Sequence, residues 1–119
     1  MTIIEKNEGP KIAYSVNKTK LNINDELIID LAKYERDDPQ HKDVCMDSWD
    51  CLVMGLGSNY VLQIDIPART YELVDTGKTD PETKTAILER KAVPFSMDNV
   101  TITLWALNGV GQQEVTYNA

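Results

Sequence analysis

The stretch Val100-Thr101-Ile102-Thr103-Leu104, followed by Trp105-Ala106-Leu107, shows the clearest fold signal in the chain. Its first five residues alternate apolar and polar side chains, and most of them are β-branched, which favours a half-buried strand. The three residues after Leu104 are apolar on both faces, which is typical of a strand that meets a second layer. The pattern therefore predicts a central β-strand.

The same period-two alternation recurs in short runs along the chain. Such runs occupy residues 12–17, 20–24, 59–66 and 71–74. They are separated by Asn, Asp, Gly and Pro, the residues that favour turns. The polar segment 75–81 lies between the run 71–74 and an apolar-containing run at 85–90, so these two runs are predicted to form a hairpin with a long polar tip.

About seven to nine short strands with frequent turn signals predict an all-β fold, most simply an antiparallel β-sandwich. The sequence resembles immunoglobulin-like domains in this pattern only, and a small barrel is the alternative. One segment, 26–35, has two interpretations: Leu27, Ile29 and Leu31 alternate as in a strand, whereas Leu27, Leu31 and Tyr34 have helical spacing. The strand is favoured because its neighbours are strands, and a short helix at 26–35 is the alternative.

The chain has 119 residues, the size of one domain, so residues 1–119 are predicted to form a single β-sandwich domain. Residues 1–10 and 108–119 are polar and Gly-containing and are expected to be loosely held. Charged residues follow directly after Ile3 and Ile4, and no apolar run reaches the ~20 residues that a membrane span needs. We therefore expect a cytoplasmic protein with no membrane contact.

The charge is distributed unevenly. Lys and Arg total 12 against 19 Asp and Glu, for a net charge of −7, which argues against a nucleic-acid partner. Segment 35–50 contains six of the acidic residues and the only histidine, His41. It also contains Trp49, which is a candidate for an exposed loop residue. If the chain has a ligand site in one short segment, this acidic segment, interpreted as a loop, is the place to expect it.

Two ligands are considered for the acidic segment. Asp43, Asp47 and Asp50 are spaced so that their oxygens could bind calcium, although no EF-hand register fits them. Trp49 could stack on a carbohydrate. Zinc is disfavoured because His41, Cys45 and Cys51 are the only soft ligands in the chain and structural zinc takes four. No cofactor is expected, and a metal of any kind is the minority interpretation.

Catalysis has little support in the sequence. A Ser–His or Cys–His arrangement would have to use His41, and the chain has no Gly-x-Ser-x-Gly motif. We therefore predict a non-enzymatic protein–protein interaction or assembly module that binds a protein partner or itself, for example a subunit of a larger bacterial or phage assembly. The alternative is a module that binds carbohydrate or calcium at the acidic loop 35–50.

Overall fold

The chain folds into ten β-strands within residues 1–107, the part that this computed structural model describes. Nearly all of the regular secondary structure is strand, and the rest consists of two short 3-10 turns. No helix in this part is long and apolar enough to cross a membrane. The strands are β1 (Thr2–Glu5), β2 (Tyr14–Asn17), β3 (Lys20–Ile23), β4 (Leu27–Asp30), β5 (Gln40–Met46), β6 (Leu52–Met54), β7 (Asn59–Ile66), β8 (Tyr71–Thr79), β9 (Ala86–Ala92) and β10 (Thr101–Leu104).

Two of the three sheets form a sandwich. The larger sheet has the order β1-β10-β7-β5-β6 and the smaller one the order β2-β3-β4. Their facing sides share one hydrophobic core, to which Leu21 and Ile23 contribute from the small sheet and Leu62 and Ile64 from the large sheet. The predicted all-β sandwich is confirmed, whereas the barrel alternative is wrong because neither sheet closes on itself.

Strand β10 lies inside the large sheet, between β1 and β7, as its sequence predicts. Its alternation places Ile102 and Leu104 in the core and leaves Thr101 and Thr103 on the opposite face. The core residues around them are almost entirely Ile, Leu and Val. Because branched aliphatic side chains pack well on a pleated surface, this composition suits two stacked sheets.

Segment 26–35 is a strand followed by a turn. Residues Leu27–Asp30 form β4, and Leu31–Tyr34 form a single 3-10 turn. The α-helix alternative for 26–35 is wrong, because the backbone of 27–30 pairs with β3 and the β-branched Ile29 enters the core. Of the residues with helical spacing, only Leu31 and Tyr34 lie in a helical turn, and Leu31 is fully buried there.

The N-terminal residues are better ordered than the sequence predicts. Residues 1–10 were expected to be loosely held, but Thr2–Glu5 form β1, which pairs in parallel with β10. The backbone N–H of Leu107 donates to the carbonyl of Pro10 at 2.7 Å, and that of Ala106 donates to the Asn7 side chain at 2.7 Å. A parallel strand is not joined to its neighbour by a tight turn, so no turn residues beside β1 indicate its pairing with β10. Residues 108–119 lie outside the described residues.

The acidic segment 35–50 is not a loop. Its middle, Gln40–Met46, is β5, which pairs with β6 on one side and β7 on the other. The register between β5 and β7 shifts between Val44 and Cys45, which leaves Val61 of β7 as the extra residue of a β-bulge. Strand β5 itself alternates, but polar residues such as Lys42 and Asp43 occupy both of its sides, so no apolar alternation reveals the strand. Only the flanks, before Gln40 and after Met46, are irregular.

Strands β8 and β9 form a third sheet of their own, the hairpin predicted from the sequence. We call residues 71–92 the hairpin arm. Its ladder runs from the pair Tyr71–Ala92 to the pair Thr79–Ala86, with an irregularity after Asp75. Nine residues of β8 correspond to a ribbon about 30 Å long at roughly 3.3 Å per residue. Within the described residues, no other strand pairs with it.

Candidate functional site

The three aspartates considered for calcium lie in two different environments. Asp43 is on β5, whereas Asp47 and Asp50 belong to the turn between β5 and β6. The Asp47 carboxylate accepts hydrogen bonds from the backbone N–H groups of Trp49 (2.8 Å) and Cys51 (3.0 Å), so its role is to shape the turn. Among residues 1–107, no group of three or more His, Cys, Asp and Glu side chains is placed to hold a metal.

Trp49 projects from the tip of the β5–β6 turn and is 83% exposed. Leu56, in the connection between β6 and β7, is exposed to a similar extent. An exposed tryptophan can contact a partner, but carbohydrate binding also needs polar groups arranged around the ring. The Asp47 carboxylate beside it is already used by the turn.

The cysteines do not form a Cys–His pair with His41. Both thiols are free; Cys45 is buried and Cys51 is exposed. Burial raises the pKa of the Cys45 thiol, which disfavours the nucleophilic thiolate. Both ring nitrogens of His41 contact carboxylates instead, Nδ1 at 2.6 Å from Asp65 and Nε2 at 2.7 Å from Asp43.

These contacts belong to a chain of hydrogen bonds across the outer face of the large sheet, which we call the outer-face network. The Trp105 indole N–H donates to Gln63 (2.9 Å), and the Gln63 amide donates to Asp43 (2.9 Å). His41 then connects Asp43 to Asp65. The register explains the grouping, because Asp43 lies opposite Gln63 and His41 lies opposite Asp65 across the β5–β7 ladder.

The two carboxylates beside His41 favour its protonated form. Ionised carboxylates only accept hydrogen bonds, so both ring nitrogens can donate only when the imidazole is charged. The hydrogen bond to Asp65, followed by that to Asp43, raises the pKa of His41 above its ordinary 6.5. The pKa of Asp43 is lowered from 3.8, mainly by the hydrogen bond from Gln63 and further by His41. The ring therefore has no free nitrogen with which to take a proton from a substrate.

The outer-face network makes folding pH-dependent. Because the folded-state pKa of His41 is raised, its stabilising contribution is full below pH 6.5 and is lost as the pH rises through the folded-state pKa. Since His41 is the only histidine, an NMR titration of its ring protons reports that pKa directly. We expect a value above 6.5 that falls in Asp65→Asn and is unchanged in the turn variant Asp50→Asn. A wild-type value at or below 6.5 would contradict the charged pair.

The surface beside His41 is too shallow for a typical ligand pocket. A depression of about 250 Å³ lies between His41, Pro39, Pro67 and Thr101. Pockets that bury small molecules usually have volumes of about 300–1,000 Å³ and are largely enclosed. The sequence missed Gln63, Asp65 and Trp105 as members of this network, since only the strand register brings them to His41.

The hairpin arm is a second candidate surface, and it carries apolar side chains among charged ones on both faces. Leu73 and Leu88 share one face of the ribbon and are 69% and 52% exposed. Val74 and Ile87 share the other face, beside an open trough of about 800 Å³. Isolated exposed leucines are ordinary on protein surfaces, but apolar groups grouped on an unsupported ribbon indicate an interaction site.

The root of the arm is fixed to the body. The Arg69 guanidinium donates to the Glu35 carbonyl at 3.1 Å and lies 3.5 Å from the carboxylates of both Glu35 and Asp37. The Tyr71 hydroxyl donates to Asp37, and Arg90 stacks on the Tyr71 ring at 3.7 Å. These contacts fix the start of β8 to the body, and the stacking of Arg90 on Tyr71 holds β9 to β8 at the same point.

No family model matches this chain, and no curated protein or solved structure matches it either. Function therefore has to be inferred from the two surfaces just described. The outer-face network is internally satisfied, with each polar group already bound to a neighbour. The hairpin arm, by contrast, exposes apolar side chains that water solvates poorly.

Proposed function

We propose that the protein is a non-enzymatic assembly module and that the hairpin arm binds a neighbouring subunit. The observation that supports this most strongly is the exposure of Leu73 and Leu88 on a hairpin that pairs with no other strand among residues 1–107. The setting we propose is a larger bacterial or phage assembly formed in the cytoplasm.

The energetics favour a covered arm. A two-stranded hairpin with nothing packed on it is at best marginally stable in water. Removing a leucine side chain fully from water contributes roughly 1.5–3 kcal/mol. Covering Leu73 and Leu88 would therefore stabilise both the arm and its complex with the neighbouring subunit. The ion pairs of Arg69 with Glu35 and Asp37 restrain the root of the arm before binding, and this limits the conformational entropy lost on binding.

The outer-face network supports a non-enzymatic role in a different way. Both nitrogens of its histidine are bound to carboxylates, and the neighbouring depression is shallow. The calcium candidates Asp43, Asp47 and Asp50 are not grouped, so the alternative of a ligand-binding module gains no support from their positions. Trp49 remains available as an additional contact for a protein partner.

The proposal is tested by sedimentation of the wild-type chain and two double variants. We expect the wild-type chain to associate as its concentration rises. Leu73→Ser with Leu88→Ser should weaken association at least about tenfold, or 1.4 kcal/mol, because it removes the apolar face of the arm. Ile28→Ser with Leu56→Ser is the matched control, since these residues are also more than half exposed but lie on the body.

None of the four replaced residues belongs to the hydrophobic core. We therefore expect the body to unfold at the same temperature in all three proteins, so that a difference in association is not caused by unfolding. A wild-type chain that stays monomeric at its highest attainable concentration would contradict self-assembly. Equal association of the arm variant and the wild type would show that the arm is not the docking element.

A further inference from the structure

The two strands of the hairpin arm differ in the regularity of their outer edges. Strand β9 runs without interruption, whereas the register of β8 shifts after Asp75, where residues 76–78 lie opposite the single residue Ile87. Gly77 in this bulge has a φ of +79°, and the Thr76 hydroxyl donates to the Ile87 carbonyl at 2.8 Å. Because a bulge twists an edge away from straight pairing, β9 offers the longer regular edge to another strand.

The backbone of β9 presents hydrogen-bonding groups on the side away from β8. At the root of the arm, the Val93 N–H donates to the Thr70 carbonyl at 2.9 Å, so it points toward β8. Backbone groups alternate in direction along a strand, and those of Leu88, Arg90 and Ala92 therefore point outward. All residues of β9 are exposed, and no strand of residues 1–107 pairs with this side.

The sequence of β9 is complementary to itself. Residues 87–93 read Ile-Leu-Glu-Arg-Lys-Ala-Val, with two apolar residues and an acid before Arg90 and a base and two apolar residues after it. When two copies of this strand pair antiparallel with Arg90 on the two-fold axis, Glu89 of each copy lies opposite Lys91 of the other. The same register sets apolar residues opposite each other, Ile87 with Val93 and Leu88 with Ala92. Pairs of both kinds stabilise antiparallel strands.

Other registers and the other strand lack this complementarity. With the axis at Glu89, that carboxylate lies opposite its own copy and Leu88 lies opposite Arg90; with the axis at Lys91, the two ammonium groups oppose each other. The regular part of β8, residues 71–75, contains Glu72 and Asp75 and no basic residue, so it cannot form an acid–base pair with a copy of itself. Cross-strand pairing thus favours β9 and the axis at Arg90.

We propose that two copies of the chain join through the outer edges of their β9 strands, antiparallel about Arg90, and form one four-stranded sheet in the order β8-β9-β9-β8. This inference rests on the proposed function and names the docking edge and its partner. An isolated two-stranded hairpin is marginally stable, whereas a sheet of more strands supports itself. The contact uses the same surface of both copies, so it closes with two of them.

The arrangement also accounts for residues on the even-numbered face of β9. The Arg90 guanidinium lies over the Tyr71 ring at 3.7 Å, on the β8 side of the arm, which draws the two guanidinium groups away from the axis. Leu88 lies opposite Ala92 of the second copy, so the junction covers part of the apolar surface of the arm. This is why its loss in the arm variant weakens the same contact.

The test uses two charge-reversal variants, Glu89→Lys and Lys91→Glu. Each places like charges opposite each other when it pairs with itself, but a mixed pair of the two variants has opposite charges at both positions. Neither residue belongs to the hydrophobic core. By sedimentation, we expect each variant alone to associate at least about tenfold more weakly than the wild type, and an equimolar mixture to recover the wild-type association.

Glu26→Lys and Lys18→Glu are the matched controls, because they make the same charge changes at exposed positions of the body. They should leave association unchanged, alone and mixed. If Glu89→Lys and Lys91→Glu each associate as tightly as the wild type, while Leu73→Ser with Leu88→Ser weakens association, the β9 junction is overturned and the docking role of the arm stands. Weakening that the mixture does not reverse would also overturn the pairing about Arg90. A wild-type chain that does not associate would overturn both proposals.

Discussion

Replacing Ile102 by alanine is expected to lower the free energy of unfolding by about 2–5 kcal/mol. Ile102 is fully buried in the central strand β10, between Ile3 and Ile64 of the adjacent strands, and it faces the small sheet. The alanine variant loses the transfer free energy of the deleted carbons and leaves a cavity that two rigid sheets cannot collapse to fill.

Ile28→Ala is the matched control for that experiment. Ile28 is also a strand isoleucine, but it is 62% exposed on the outward side of β4. Its replacement should change the unfolding free energy by no more than about 0.5 kcal/mol. Urea denaturation followed by fluorescence measures both variants. Equal losses for Ile102→Ala and Ile28→Ala would contradict the assignment of the inner and outer sides of the sandwich.

Most of the sandwich could be predicted from alternation. The runs that became β2, β3, β7 and β10 place apolar residues at nearly every second position, and this pattern is local to the chain. Strand β5 was missed for a physical reason: its core-facing side includes the polar Gln40 and Lys42 as well as Val44, and its outward side is also mostly polar. A strand of that composition cannot be distinguished from an acidic loop by periodicity.

The candidate surfaces needed information that the sequence does not contain. His41 and Asp43 face the same side only once β5 is known to be a strand, and Asp65 joins them through a register formed 24 residues later. The hairpin itself was predictable, but its isolation was not. Leu73 and Leu88 have the pattern of core residues, and only the tertiary structure shows that no second layer from the described part of the chain covers them.

The molecule thus has two surfaces of different chemistry, the outer face of the large sheet and the hairpin arm. On the outer face of the large sheet, polar groups are mutually satisfied and a charged histidine is held between two carboxylates. On the arm, apolar groups are left uncovered and the backbone is paired only within the hairpin. The first arrangement stabilises a solvated sheet face, whereas the second leaves apolar surface exposed among the described residues.

The second large effect is expected in amide hydrogen exchange of the hairpin arm. In a dilute monomer, the arm opens at low cost in free energy because its hydrogen bonds are not supported by packing, and its amides exchange rapidly. When a neighbouring copy covers the arm, opening requires breaking that contact first. We therefore expect exchange in residues 71–92 to slow at least about tenfold as the protein associates.

Exchange measured by mass spectrometry on the wild-type chain, below and above the concentration at which it associates, tests this most directly. Peptides from β7 and β10 are the internal control, since their core amides should exchange equally slowly at both concentrations. The predicted result is protection that rises with concentration in residues 71–92 and stays constant in the core. Arm amides that exchange equally fast at both concentrations would contradict the assignment of the hairpin as the docking element.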